Sequence, residues 1–130
     1  MKKQRAKNLF TVKITTTFIA GHQLNFPTGI HEPYHIHDWQ VETAIAGSQL
    51  DENGLLFDFL QLKKIVTDIT NPFNDRALED FDCFKNINTS AENVAKYLFT
   101  SIKNQLPPTI SLLYVEVTEA PGCKAQYSEV

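Results

Sequence analysis

Leu9-Phe-Thr-Val-Lys-Ile-Thr-Thr-Thr-Phe-Ile-Ala-Gly-His22 alternates with period two. Phe10, Val12, Ile14, Phe18, Ala20 and His22 share one parity, and Thr11, Lys13, Thr15 and Thr17 share the other. Successive side chains on a strand point to opposite faces, so this pattern predicts a long strand buried on one side. Asn25 to Pro33, punctuated by Pro27, Gly29 and Pro33, reads as a loop. A second strand is expected from Tyr34 to Ala46, with His35, His37, Trp39, Val41 and Ile45 on one face and Asp38, Gln40 and Glu42 on the other. If the two strands are antiparallel neighbours, chain order fixes which of their ends meet. The end of the first then lies beside the start of the second, and His22 falls near His35 and His37.

Beyond Gly47–Gly54, a turn rich in Ser, Asp and Asn, the period changes. Phe59, Leu62, Ile65, Val66 and Ile69 recur at helical spacing, and Asn71-Pro72 ends that helix. Residues 73–88 read as irregular. A second helix starts near Thr89, where Thr89-Ser90-Ala91-Glu92 has capping-box spacing. Its apolar stripe is Ala91, Val94, Ala95, Leu98, Phe99 and Ile102, and Pro107-Pro108 stops it. A third strand, Ile110–Glu119, places Leu113, Val115, Val117 and Glu119 on one face, and Ala125–Val130 is a short last strand after the Pro121-Gly122 turn. The order is β-β-α-α-β-β: an α+β domain, an antiparallel sheet with two helices covering one face. Its two longest strands exceed the usual ~5–6 residues, and long edges call for a partner, so pairing of edges into an oligomer is expected.

With 130 residues the chain is expected to form one domain, 1–130. Hydrophobic residues at 42% and charged residues at 21% exclude a disordered tail, and no apolar run approaches the ~20 residues of a spanning helix. A net charge of −3 argues against a nucleic-acid partner. Cys83 and Cys123 form no CxxC pair, so no disulfide framework or cysteine zinc site is indicated, and a cytoplasmic protein is expected. The basic start, Met1–Lys7, reads as a solvated tail.

All four histidines lie between positions 22 and 37. His35 and His37 share a strand face, and with His22 they make a set of three neutral imidazoles with one open position, the donor set of a catalytic zinc site. Imidazole also suits iron, copper and nickel. Glu119 ends the apolar parity of the third strand with a carboxylate. It either exits to solvent or grips the N–H and NH₂ of a guanine-like or pterin ring.

Taken in order, the motifs resemble one family. Phe18-Ile-Ala-Gly-His22 resembles F-x-A-A-H, and His35-Ile-His37-Asp-Trp39 resembles H-G-H-N-Y. Gly54-Leu-Leu-Phe-Asp58-Phe59-Leu-Gln-Leu62-Lys63 is similar to G-x-v-x-D-F-x-x-L-K, and Phe73-Asn74-Asp75 to L-N-D. Ser90-Ala-Glu92-Asn93-Val-Ala95 is similar to T-x-E-N-x-A, and Val115-Glu-Val117-Thr-Glu119 to v-x-v-x-E-T. These are motifs of the 6-pyruvoyltetrahydropterin and 6-carboxytetrahydropterin synthases.

The resemblance implies a tunnelling fold whose subunits join edge to edge into a barrel, usually a hexamer. It implies zinc on His22, His35 and His37, Glu119 as anchor of a pterin ring, Ser90 at the substrate, and 7,8-dihydroneopterin triphosphate as the usual substrate. Two departures bear on the chemistry. His31 stands where the family has its catalytic cysteine, and Ile69-Thr70 stands where it has an Asp-His pair. Glu32, three residues before His35, matches a subgroup that carries a glutamate there and releases 6-hydroxymethyldihydropterin. The expected function is therefore a zinc-dependent lyase with Glu32 as base, alone or helped by His31. The alternative is a member that binds zinc and a pterin without the standard reaction.

Overall fold

A computed structural model describes residues 8–129; the basic start Met1–Lys7 and Val130 lie outside the described residues. Strand β1 (Phe10–His22) pairs antiparallel with β2 (His35–Gly47) over their full lengths, from Phe10↔Gly47 to His22↔His35. β4 (Ser111–Ala120) pairs with the other edge of β2, and β5 (Cys123–Tyr127) with β4. A two-residue strand β3 (Arg76–Ala77) runs parallel to β1 at Ala20 and Gly21, giving the order β3-β1-β2-β4-β5. Helices α1 (Phe59–Thr70) and α2 (Ala91–Lys103) pack on one face of the sheet, α1 against β1 and α2 against β4 and β5. The expected α+β class, a sheet with two helices on one face, is what the chain adopts.

The alternation in β1 translates directly into burial: Ile14, Thr16, Phe18, Ala20 and His22 face the helices, while Thr11, Lys13, Thr15 and Thr17 are exposed. All six residues of the α2 stripe are buried, as spacing of three and four on a helix requires. α1 buries Leu62, Val66 and Thr70, and Asp58 caps it by accepting the Leu60 N–H at 2.7 Å. Phe59, counted on the buried stripe from its spacing, is 54% exposed because it sits at the first, outermost turn.

Three local expectations are corrected. Thr89 does not cap α2: Ser90 does, its Oγ accepting the Asn93 N–H at 3.2 Å, and this shifts the cap one residue past the capping-box frame. Leu113 does not face the core and is 40% exposed. β2 pairs Ala44 with Tyr114 but Ile45 with Leu112, so Leu113 is the extra residue of a bulge and the parity of β4 inverts there. The segment 73–88 is not structureless, since it carries β3 and two tight 3₁₀ turns, Leu78–Asp80 and Asp82–Phe84, that bury Leu78 and Phe84. None of these is long enough to show a period in sequence.

Leu98→Ala, which empties a fully buried site on α2, is expected to lower the unfolding free energy by about 2–5 kcal/mol. Leu113→Ala is expected to cost under about 1 kcal/mol, because the bulge leaves that side chain half in solvent. Urea unfolding of both variants measures the contrast; equal losses would contradict the register of β4.

Candidate metal centre

The register of β1 on β2 builds one end of the sheet from imidazoles. His22 is directly opposite His35, and Ala20 opposite His37, so the three side chains share the helix-covered face. Their ring centroids are 4.4 to 5.3 Å apart. β2 and β4 part company one step beyond the pair Gln40↔Thr118, and β4 carries a second irregularity between Thr118 and Ala120. Glu119 sits in that bulge, the kind of feature that re-aims a side chain beside a site. Its Oε1 lies 2.6 Å from His22 Nε2, 3.2 Å from His37 Nε2 and 3.7 Å from His35 Nε2. One donor atom from each of the four residues falls within 4.8 Å of the others.

The proton inventory of this cluster decides what it can hold. His22 Nδ1–H donates to the carbonyl of Thr89 at 2.7 Å, and His35 Nδ1–H donates to the carbonyl of Pro33 at 2.7 Å. A neutral imidazole that donates through Nδ1 presents Nε2 as a lone pair. The buried Nε2 atoms of His22 and His37 have no hydrogen-bond partner. The pKa of His37 is lowered by burial first and by neighbouring His35 second, which favours its neutral form. Lone pairs turned toward a carboxylate oxygen at contact distance repel unless a cation stands among them. Three imidazole nitrogens with an adjacent carboxylate suit zinc, and they fit a divalent ion better than they fit one another.

The surroundings hold the rings in place. His22 is fully buried, edge-on to Trp39 at 4.8 Å, and the Trp39 indole N–H is tied to the Ala20 carbonyl at 3.1 Å. Glu79 Oε1 accepts both the Gln23 N–H at 2.6 Å and the Thr89 hydroxyl at 2.8 Å. Neither Glu79 nor Thr89 was singled out in the sequence as part of this site. Glu79 lies in a three-residue turn without periodicity, and the spacing around Thr89 mimics a helix cap.

Glu32 reaches the cluster from the loop between β1 and β2. Its Oε1 is 3.4 Å from His35 Nε2 and, although buried, has no hydrogen-bond partner. His31 does not join the group: it is exposed, bridged antiparallel to Asn25 at the base of the turn, with its Nδ1 2.6 Å from Asn25 Oδ1. Asn25 is in turn held through both its backbone groups by the side chain of Asn88 at 2.9 Å. Ser90, beside Thr89, uses its Oγ as the cap of α2. Where β2 and β4 separate, a cavity of about 470 Å³ opens, with His37, Glu119, Gln40 and Thr118 among its lining residues.

Residues 11–130 match the family model described as 6-pyruvoyl tetrahydropterin synthase. A Caenorhabditis elegans protein provisionally named a 6-pyruvoyl tetrahydrobiopterin synthase is 27% identical over 88 residues, 67% of this chain and 63% of that one. The chain thus spans under two thirds of that curated relative's length. Among solved structures, the Caenorhabditis elegans 6-pyruvoyl tetrahydropterin synthase superposes with a TM-score of 0.82 at 22% identity, over 98% of this chain and 100% of that one. A Plasmodium vivax 6-pyruvoyltetrahydropterin synthase, described as a glutamate-to-alanine catalytic-residue mutant, superposes with a TM-score of 0.74 at 16% identity, over 94% and 98%. At these identities the structural likeness speaks for the fold.

Asn88→Ala removes both bonds that fasten Asn25. Backbone amides of the 24–32 turn, notably Phe26 and Glu32, which bond across it, are expected to exchange with solvent about tenfold faster by hydrogen exchange, with β1 unchanged. Unaltered exchange would show that the loop carrying Glu32 is fixed by other contacts.

Proposed function

The chain belongs to the 6-pyruvoyl tetrahydropterin synthase family, and on that footing we propose that it is a zinc-dependent lyase acting on 7,8-dihydroneopterin triphosphate or a related dihydropterin. The single observation that carries this is the convergence of three imidazole nitrogens and a carboxylate oxygen on one small space. His22, His35 and His37 would hold the zinc. When bound, the ion supplies a Lewis acid that stabilises negative charge developing on the substrate's side-chain oxygens.

The chain's own residues supply the rest. Glu32 is the base: its unpartnered Oε1 beside His35 takes the proton of a side-chain hydroxyl. The adjacent carbon–carbon bond then breaks: the deprotonated oxygen becomes the carbonyl of an aldehyde that leaves with the phosphate chain, and the bond's electron pair passes into the conjugated dihydropterin ring. Returning the proton to the carbon left on the ring gives a 6-hydroxymethyl product, the aldolase-like outcome. The Plasmodium vivax protein, whose description names a glutamate as a catalytic residue, supports a carboxylate in this role. Proton transfer is assigned to Glu32 rather than His31, because the His31 imidazole is engaged with Asn25 outside the cluster.

Glu119 lies at the junction of the imidazoles and the cavity between β2 and β4. It is suited to grip the N–H and NH₂ of the ring, while the ring lies in that cavity. Ser90 accepts one bond through Oγ and retains its own O–H for substrate. The free thiols Cys83 and Cys123 support a cytoplasmic setting, and among the described residues no helix is long and apolar enough to cross a membrane.

A homo-oligomer, on this account a hexamer, is favoured by an unfinished edge. Beyond Ala20 and Gly21, where β3 pairs, the outer edge of β1 has no strand partner among the described residues. Such an edge is a ready template for a second copy.

Three outcomes are expected. Zinc-loaded protein incubated with 7,8-dihydroneopterin triphosphate gives a 6-hydroxymethyl product by mass spectrometry, and Glu32→Gln slows it by about 10²–10⁴-fold. A 6-pyruvoyl or 6-carboxy product would overturn the aldolase-like branch; no turnover with retained pterin binding would favour a binding protein. His37→Ala abolishes stoichiometric zinc by elemental analysis. Light scattering on eluted protein reports a hexamer, and a monomer at micromolar concentration would contradict edge pairing.

A further inference from the structure

We propose that Glu79 and Thr89 are positioning residues for His22, a clamp that fixes the ring's orientation and tautomer for the metal, an inference that rests on the three imidazoles being metal ligands. His22 is the one ligand of the three that is fully buried, and its Nδ1–H points away from the cluster to the carbonyl of Thr89. That carbonyl comes from a residue 67 positions away, on the irregular run before α2. Its position relative to His22 is not given by any strand or helix.

What joins the two is a single oxygen. Glu79 Oε1 accepts the N–H of Gln23, the residue after His22, and the hydroxyl of Thr89, the residue whose carbonyl His22 uses. The ring therefore closes a loop of three hydrogen bonds: Gln23 to Glu79, Thr89 to Glu79, and His22 to Thr89. Charge-assisted bonds to a carboxylate are stronger than neutral ones, and this pair is part-buried, where they are less screened. A ligating histidine whose far nitrogen is tied to an acceptor keeps its near nitrogen as a lone pair and gains basicity. His35 obtains the same benefit locally from Pro33, two residues earlier. His22 needs the long-range clamp because its own strand ends there, at the last residue of β1. Thr89 itself is fully buried, and its side chain is used here and not at the helix cap.

The test uses Thr89→Val, which removes the hydroxyl at constant shape and leaves the carbonyl, with Thr89→Ser as the restoring variant and Glu79→Ala as the independent one. Zinc affinity measured by competition with a chromophoric chelator is expected to fall about 10–100-fold in Thr89→Val and Glu79→Ala, and to return to within about threefold in Thr89→Ser. In the metal-free protein, multiple-bond ¹⁵N–¹H spectra are expected to show His22 as the Nδ1–H tautomer in the wild type and a mixture in Thr89→Val. If Glu79→Ala fails to fold, the near-isosteric Thr89→Val carries the test. Wild-type affinity and tautomer in Thr89→Val would overturn the clamp while leaving the metal site standing. Weaker zinc with an unchanged tautomer would also overturn it, because the loss would not come through the ring. A wild type that takes up no zinc removes the metal assignment and the clamp together.

Discussion

The register between β1 and β2 is the constraint from which the site follows. Because side chains alternate with period two, a slip of one residue between these strands would move His35 and His37 to the opposite face from His22 and bring Ile36 and Asp38 in their place. The register is held by burial: Ile14, Phe18 and Ala20 on one strand and Trp39, Val41 and Ile45 on the other must all reach the helices at once. A misregister would expose this entire set. The energy that fixes the imidazoles is thus mostly the hydrophobic packing of the sheet, with polar contacts refining the last few ångströms.

That dependence explains what could be read in the chain. The positions of His22, His35 and His37 were legible because alternation is a local signal and an antiparallel hairpin turns it into proximity. The α2 stripe was legible for the same reason at helical period. Glu119 was visible as a carboxylate ending an apolar parity, but its approach to the imidazoles depends on a bulge at the end of β4, which leaves no trace in composition. The inversion at Leu113 was hidden likewise, since one inserted residue changes parity without changing residue type. Glu79 and Asn88 were out of reach altogether: both act through contacts more than fifty residues away, Glu79 from a three-residue turn and Asn88 from the irregular run before α2.

The candidate site divides into two parts that are held differently. One part is the three imidazoles, placed by the register of β1 on β2, with His22 and His35 tied through Nδ1 to backbone carbonyls. The other is the loop leading into β2, where His31 faces solvent. Glu32 is the side chain from this stretch that comes within 3.4 Å of a cluster nitrogen. The imidazoles are fixed by the sheet, whereas the loop is fastened by Asn88 through Asn25.

On the proposed reading the three imidazoles bind one zinc through Nε2. X-ray absorption at the zinc edge, on protein reconstituted with one equivalent of zinc and then desalted, measures this directly. Three imidazole scatterers at about 2.0–2.1 Å, with any further light atom at a similar distance and no sulfur shell, is the expected result. Zinc lost on desalting, or a spectrum fitted by sulfur at about 2.3 Å, would contradict it.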